Sequence, residues 1–419
     1  MSSPVWHPFT QHALQPDSVP IVRAEGAWVE AADGRRILDA ISSWWVVTHG
    51  HRHPHIMAAI KAQADVLDQV IFAGFTHEPA ERLARRLIEM APAGLSHVFF
   101  SDSGSTSVEV ALKMALGTWR NRGEPRTRIL ALEHAYHGDT TAAMSAGARG
   151  LFSDPYAPLL FDVTRIPFPA PDREKATFAA IESACAAEAV AALILEPLIL
   201  GAGGMLTYSP ATLAEMARIC RAAGALLIID EVLTGWGRTG ALFACEHAGI
   251  TPDILCTAKG LTGGALPLAA TLCRPEIFAA HLSPDRTRTF FHSSSYTANP
   301  IACAAALANI EVWEREPVRE RIAALAAAQA GHSARFRGDR RFSEVRQLGT
   351  MTALDLIVGD AGYLAEVGPR LMSFSLARGV LLRPLGNTIY VLPPYCITPA
   401  ELDLVYSTID EAASAVRQA

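Results

Sequence analysis

The chain withholds the marks of several protein classes. It has no C-x-x-C pair. Its seven cysteines are odd in number and stand singly in apolar stretches, which argues against a disulfide framework and fits reduced thiols in a cytoplasmic protein. It has no basic stripe or arginine-rich run, and its net charge is -6, so nucleic acid is not an expected partner. Long apolar runs are also missing. "AVAALILEPLIL" (189–200) is broken by Glu196 and Pro197 and is too short to span a bilayer, so no membrane partner is expected. The opening "MSSPVWHPFTQ" lacks the basic start and apolar block of a secretory leader. There are no repeats and no low-complexity linker.

What is present is core. Half of the 419 residues are hydrophobic, enough for two or three domains. Through the middle of the chain, strand-like apolar runs alternate with helical patterns. "HVFFSDSG" (97–104) reads as a strand entering a turn, and the helix after it carries Val108, Ala111, Leu112, Ala115, Leu116 and Trp119 on one face. "RILAL", "VAALILEP", "ALLIIDEV", "DILCTAK" and "LAATLCR" follow as strands. "SPATLAEMARICRAAG" reads as a helix, with Ser209 as its cap, Pro210 in its first turn and Gly224 past its end. This alternation predicts an α/β protein with a largely parallel sheet covered by helices on both faces. In such sheets ligands bind beyond the carboxyl ends of the strands.

The two ends differ from the middle. "AWVEAADGRRILD" (27–39) reads as two short strands about an Asp33-Gly34 turn. An alanine-rich helix, "RERIAALAAAQAGHSARF", leads into a last part that mixes strands with a closing helix from about Pro399, as expected of a smaller α+β domain. The expected division is an N-terminal segment 1–50 that contributes to the small domain and the substrate site, a large domain 51–315, and a C-terminal domain 316–419.

Chemistry concentrates at the ends of the apolar runs. "CTAKGLTGG" (256–264) contains one charged residue, Lys259. A strand-end lysine commonly points to water; in an apolar, desolvated setting it becomes a neutral amine able to attack a carbonyl. Asp230 ends the preceding run and is open to two readings, a turn cap or a carboxylate that holds a proton on a pyridine nitrogen. Gly104, Ser105, Thr106 and Ser107 stand at a strand-to-helix junction, where free amides favour an anion, although serine and glycine also serve as ordinary caps. No Lys-Ser/Thr pair follows, so this is not a nucleotide loop. Tyr136 could pack in the core or stack on a flat ring. Glu196 could cap or act. His49, His51, His53 and His55 alternate and in a strand would share a face, yet no nearby Cys, Asp or Glu completes a ligand set, and no metal is expected.

Taken together, "LLIIDEVLTGWGRTG" and "PDILCTAKGLTGG", with "SDSGSTSVEVALKMA", "AYHGDT", "EPLILGAGG" and "SYTANPIACAAA" in the same order, closely resemble the class III pyridoxal-phosphate aminotransferases. The resemblance covers essentially the whole chain. It implies the fold-type I architecture, a large domain with a mostly parallel seven-stranded sheet plus a smaller α+β domain, and the cofactor pyridoxal 5'-phosphate. It implies Lys259 as the Schiff-base and proton-moving lysine, Asp230 on the pyridine nitrogen, Tyr136 and Val232 on the two faces of the ring, and Gly104 and Ser105 on the phosphate. Ser294 and Ser295 match a phosphate-side segment that reaches the partner subunit's site, which implies a homodimer. Arg383 matches an arginine that receives a substrate carboxylate. Phe9, Trp44, Trp45, Ser293 and Tyr390 fall at substrate-side positions, and Arg238 at a family position of undefined role.

"WHPFTQ", "SSWWVVTHGHRHP" and "RPLGNTIYVLPPY" resemble the branch of that family that acts in biotin biosynthesis. That branch moves an amino group from S-adenosylmethionine to 7-keto-8-aminopelargonate (8-amino-7-oxononanoate), giving 7,8-diaminopelargonate. Two departures bear on the donor. The branch usually reads "WHPYT" where Phe9 stands here, and "HGPTF" where this chain has "HSSSY". The alternatives are lysine as donor, another class III ω-amino acid or diamine transaminase, or an inactive homologue that only binds.

Overall fold

A computed structural model describes residues 3–15, 17–124, 126–359 and 361–418. Its centre is a seven-stranded sheet in the order His97–Ser101, Ala269–Cys273, Ile254–Thr257, Leu226–Asp230, Val190–Leu195, Arg128–Leu132, Thr164–Ile166. All neighbours run parallel except Ala269–Cys273, which is antiparallel to both of its partners. Alternation along each strand separates the two faces. Leu193, Leu195, Leu227 and Ile229 join one apolar cluster with Leu83, Leu213 and Met216. Ala192, Ile194 and Ile228 join the opposite one with Val108, Leu112 and Trp119. Helices therefore cover both faces, as expected for continuous apolar strands.

The helix Gly104–Arg122 begins at the rim where Ser101 ends its strand. Ser103 caps it, its hydroxyl accepting the Thr106 N–H at 3.2 Å, and Gly123, in a left-handed conformation, ends it. The Ser209 cap and Pro210 of the next predicted helix are also in place, with Gly224 beyond its end at φ +66°.

The two chain ends share a second core. Ile21–Glu25, Trp28–Ala31 and Arg36–Asp39 form antiparallel strands, and Val380–Leu381 adds in parallel to the last. Phe342–Leu348, Met351–Leu356 and Thr388–Val391 form a further antiparallel sheet, against which Val318–Ala334 and Pro399–Gln418 pack. Arg238 ties these parts together. Its buried guanidinium donates to the carbonyls of Pro393 and Val47, both at 2.9 Å. The alternating histidines form no strand: Pro54 starts a helix, and each histidine has its own partner, Asn309, Asp39, Glu316 and Glu311 in order. Among the described residues no helix is long and apolar enough to cross a membrane, and no group of three or more His, Cys, Asp or Glu is gathered to hold a metal ion.

Candidate active site

Parallel pairing sets Asp230 beside Cys256 at the carboxyl rim of the sheet. Lys259 follows Thr257 by two residues, so both groups reach the same rim. A cavity of about 430 Å³ opens there, walled by Lys259, Asp230, Tyr136, Val232, Glu196 and Trp45 and floored by Gly104 and Ser105. The two strand-end groups and the strand-to-helix junction are thus one site.

Lys259 opens a short turn, Lys259–Thr262, with φ at +44°. A side-chain-bearing residue holds that conformation only where its surroundings enforce it. Its Nζ lies 4.9 Å from the centre of the Trp45 ring. Trp45, itself at φ +66°, is set edge-on to Tyr390 at 5.8 Å. Burial pulls the Lys259 amine down to about 8, with Arg238 acting in the same direction and the negative charges of Asp230 and Glu196 opposing. The neutral amine is therefore far more populated near neutral pH than for an exposed lysine, although the ammonium still predominates below about 8.

Asp230 is buried and held by two bonds. One oxygen accepts the Val232 N–H at 3.1 Å, and the other lies 2.7 Å from Nδ1 of His137. A carboxylate only accepts, so Nδ1 carries the hydrogen. The other ring nitrogen of His137 is buried with no hydrogen-bond partner among the described residues. Glu196 spans two backbone amides, Tyr136 at 2.9 Å and Gly201 at 3.0 Å. Burial raises its carboxyl to about 7, and also raises the Tyr136 hydroxyl.

At the junction, the first helical amides, Gly104 and Ser105, have no acceptor within the helix. Glycine is required at two places around them. A Cβ on Gly104 would stand 2.5 Å from Val232 Cγ1, and one on Gly138, at φ +126°, 2.0 Å from the Ser105 hydroxyl. The Ser105 hydroxyl in turn accepts the Asp139 N–H at 3.2 Å. These contacts make a tight, amide-lined cradle suited to an anion.

The substrate-side residues divide. Trp45 and Tyr390 are in or against the cavity wall. Phe9, Trp44 and Arg383 form a half-exposed group beyond it: the Phe9 and Trp44 rings are 5.7 Å apart, and the Arg383 guanidinium lies 5.0 Å from the Trp44 ring and 3.3 Å from the Phe9 carbonyl. A second cavity of about 280 Å³ shares Tyr136 and Gly138 with the first and is lined by Phe152, Tyr363 and Leu385. Ser293, Ser294 and Ser295 are not brought into the cavity of their own chain. They form a surface turn, the Ser295 carbonyl accepting from Gln69 at 2.8 Å. Sequence reasoning missed His137. The signal was its place beside Tyr136 and the need of a buried Asp230 for a donor.

The class-III aminotransferase family model matches residues 10–413. Adenosylmethionine-8-amino-7-oxononanoate aminotransferase of Synechococcus elongatus is 49% identical over 414 residues, 97% of each chain. The protein of the same name from Mycobacterium leprae is 40% identical over 98% of this chain and 95% of its own. The crystal structure of that aminotransferase from Methanocaldococcus jannaschii matches with a TM-score of 0.94 at 35% identity, over 98% of this chain and 97% of that one. A pyridoxal-phosphate-bound amine transaminase from an uncultivated Pseudomonas species matches at 0.93 and 33% identity, over 99% of each. With a family model over nearly its whole length and the rim geometry it folds to, the chain belongs to the class-III aminotransferases.

Proposed function

We propose that the protein transfers an amino group from S-adenosylmethionine to 8-amino-7-oxononanoate, giving 7,8-diaminopelargonate in biotin biosynthesis, with pyridoxal 5'-phosphate as cofactor. The observation that carries the cofactor is the span of the cavity: a desolvated amine at Lys259, a buried carboxylate at Asp230 and an amide-lined anion cradle at Gly104 and Ser105 wall one cavity. The acceptor and donor rest on relatives of that name over almost the full length.

The residues fit the cofactor at each end. Gly104 and Ser105 would take the phosphate, Asp230 the pyridine nitrogen, and Lys259 the carbonyl carbon, with Tyr136 and Val232 on the ring faces. When bound, the group supplies an electron sink that stabilises negative charge on the carbon next to the donor nitrogen. The chain's own work is proton control. Lys259 Nζ, its ammonium form disfavoured by burial, takes in its neutral form the proton from the donor carbon and returns it elsewhere. Asp230, oriented by His137 and the Val232 amide, keeps a negative charge where a protonated nitrogen is needed. Trp45 closes one side and limits water. The second cavity, whose mixed lining includes the apolar and aromatic side chains of Met144, Leu151, Phe152, Tyr363 and Leu385, suits the long chain of the acceptor, and Arg383 suits its carboxylate.

The same reading takes the protein as a cytoplasmic homodimer divided at residues 50 and 315, with Ser294 and Ser295 completing the partner's phosphate site. Their position on a surface turn, outside their own cavity, supports it. A different amine donor is the second reading, favoured by Phe9, which brings no hydroxyl to its contact with Trp44. Single-turnover mixing without acceptor separates them. Loss of the visible cofactor band with S-adenosylmethionine and not with lysine supports the proposal; loss with lysine or a simple diamine alone rejects the donor.

A further inference from the structure

We infer that Asn309, oriented by His49, is a positioning residue for Lys259. The inference rests on the reading of Lys259 as the lysine that bonds the cofactor. Asn309 lies on the helix Pro300–Arg315, fully buried among Ala305, Ala306, Ala308 and Ile310. A polar group in that setting is costly unless it is hydrogen-bonded, and here both amide hydrogens and the amide oxygen are engaged. The Nδ2 amide donates to the carbonyls of Gly260 and Leu261, both at 3.0 Å, and Oδ1 lies 2.8 Å from Nε2 of His49. Two carbonyl acceptors fix which end of the amide faces the turn, so Oδ1 must accept, and His49 must donate from Nε2.

The two carbonyls belong to the residues directly after Lys259. That turn starts from the left-handed Lys259 and ends at Gly263, with φ +66°. It has no room to relax on its other sides: a Cβ on Gly260 would meet Trp236 at 2.7 Å, and one on Gly263 would meet Ile56 at 2.7 Å. Asn309 thus clamps a strained turn from the helix side, and the turn aims Nζ over Trp45. His49, 5% exposed, is kept neutral by burial, so its N–H serves the clamp without bringing a charge near the lysine. The charged and titratable groups that act on Lys259 are Asp230, Glu196 and Arg238, and the clamp touches none of them.

The test uses the purified, coloured full-length protein and two readouts, its melting temperature and the pH midpoint of its visible absorbance. Freeing the turn opens the lysine nitrogen to water and weakens the burial effect, which raises the midpoint. Asn309→Leu keeps the approximate shape, loses both donors and adds no charge. His49→Leu removes the orienting donor, whereas His49→Gln offers an N–H the same number of bonds from the backbone. Ala308→Gly destabilises the same helix without touching the clamp. The expected result is a midpoint raised by about one unit in Asn309→Leu and His49→Leu, near wild type in His49→Gln, and unchanged in Ala308→Gly despite lower melting. An unchanged midpoint in Asn309→Leu and His49→Leu, or an equal shift in Ala308→Gly, overturns the inference. If Asn309→Leu does not fold, His49→Leu against His49→Gln decides on the same terms. A wild-type protein with no such band overturns the cofactor reading, and the inference with it; a wild-type band with unmoved variants overturns the inference alone.

Discussion

Nδ1 of His137 lies 2.7 Å from Asp230, and both side chains are buried. The carboxylate at the cavity wall is therefore fixed in direction by a buried donor. Asp230→Asn should retain the cofactor and slow the donor half-reaction by about 10²-fold or more, the scale of losing one preorganised electrostatic partner. His137→Phe should produce a smaller loss in the same step. Stopped-flow rates at saturating donor check both, and a wild-type rate in Asp230→Asn would refute its role.

Lys259 must be neutral to accept a proton, and its ammonium is destabilised so that the midpoint falls at about 8. The donor half-reaction should rise with pH through about 8 and level off above it. Glu196→Gln removes a negative charge that favours the ammonium, so the rising limb should move to lower pH. Lys259→Ala should bind the cofactor yet give no borohydride-stable adduct, read by the intact mass.

Gly138 leaves no space for a side chain, and its backbone conformation disfavours one. Gly138→Ala should push Ser105 out of the cradle, weaken cofactor binding roughly tenfold or more, and lower stability by about 1–3 kcal/mol. Titration of cofactor-free protein and thermal melting measure the two effects.

Arg383 stands with Trp44 and Phe9 beyond the lysine, outside the cofactor cavity. Arg383→Leu should raise the KM for the keto acid acceptor by about 10–100-fold, the worth of a charged hydrogen bond. The donor half-reaction should be unchanged. Equal losses in both half-reactions would place Arg383 elsewhere in the chemistry.

Much of the rim could be read from sequence because buried parallel strands are continuous apolar runs, and the first polar residue after each run falls at one edge. That logic found Asp230, Glu196 and Lys259. The direction of Ala269–Cys273 was not read. The stretch between Thr257 and Ala269 is too short for a crossover helix, and that shortness is the signal for an antiparallel strand. Asn309 gave no local signal, because its meaning lies in two carbonyls 48 and 49 residues away. The alternating histidines would share a face only in a strand, and Pro54 instead starts a helix.

The central claim is the reaction itself. The measurement is product formation by the purified protein with pyridoxal phosphate, 8-amino-7-oxononanoate and S-adenosylmethionine labelled with ¹⁵N at its amino group, read by mass spectrometry. The account predicts 7,8-diaminopelargonate carrying the label. Unlabelled product formed only when lysine is supplied, or no product with either donor, would contradict it.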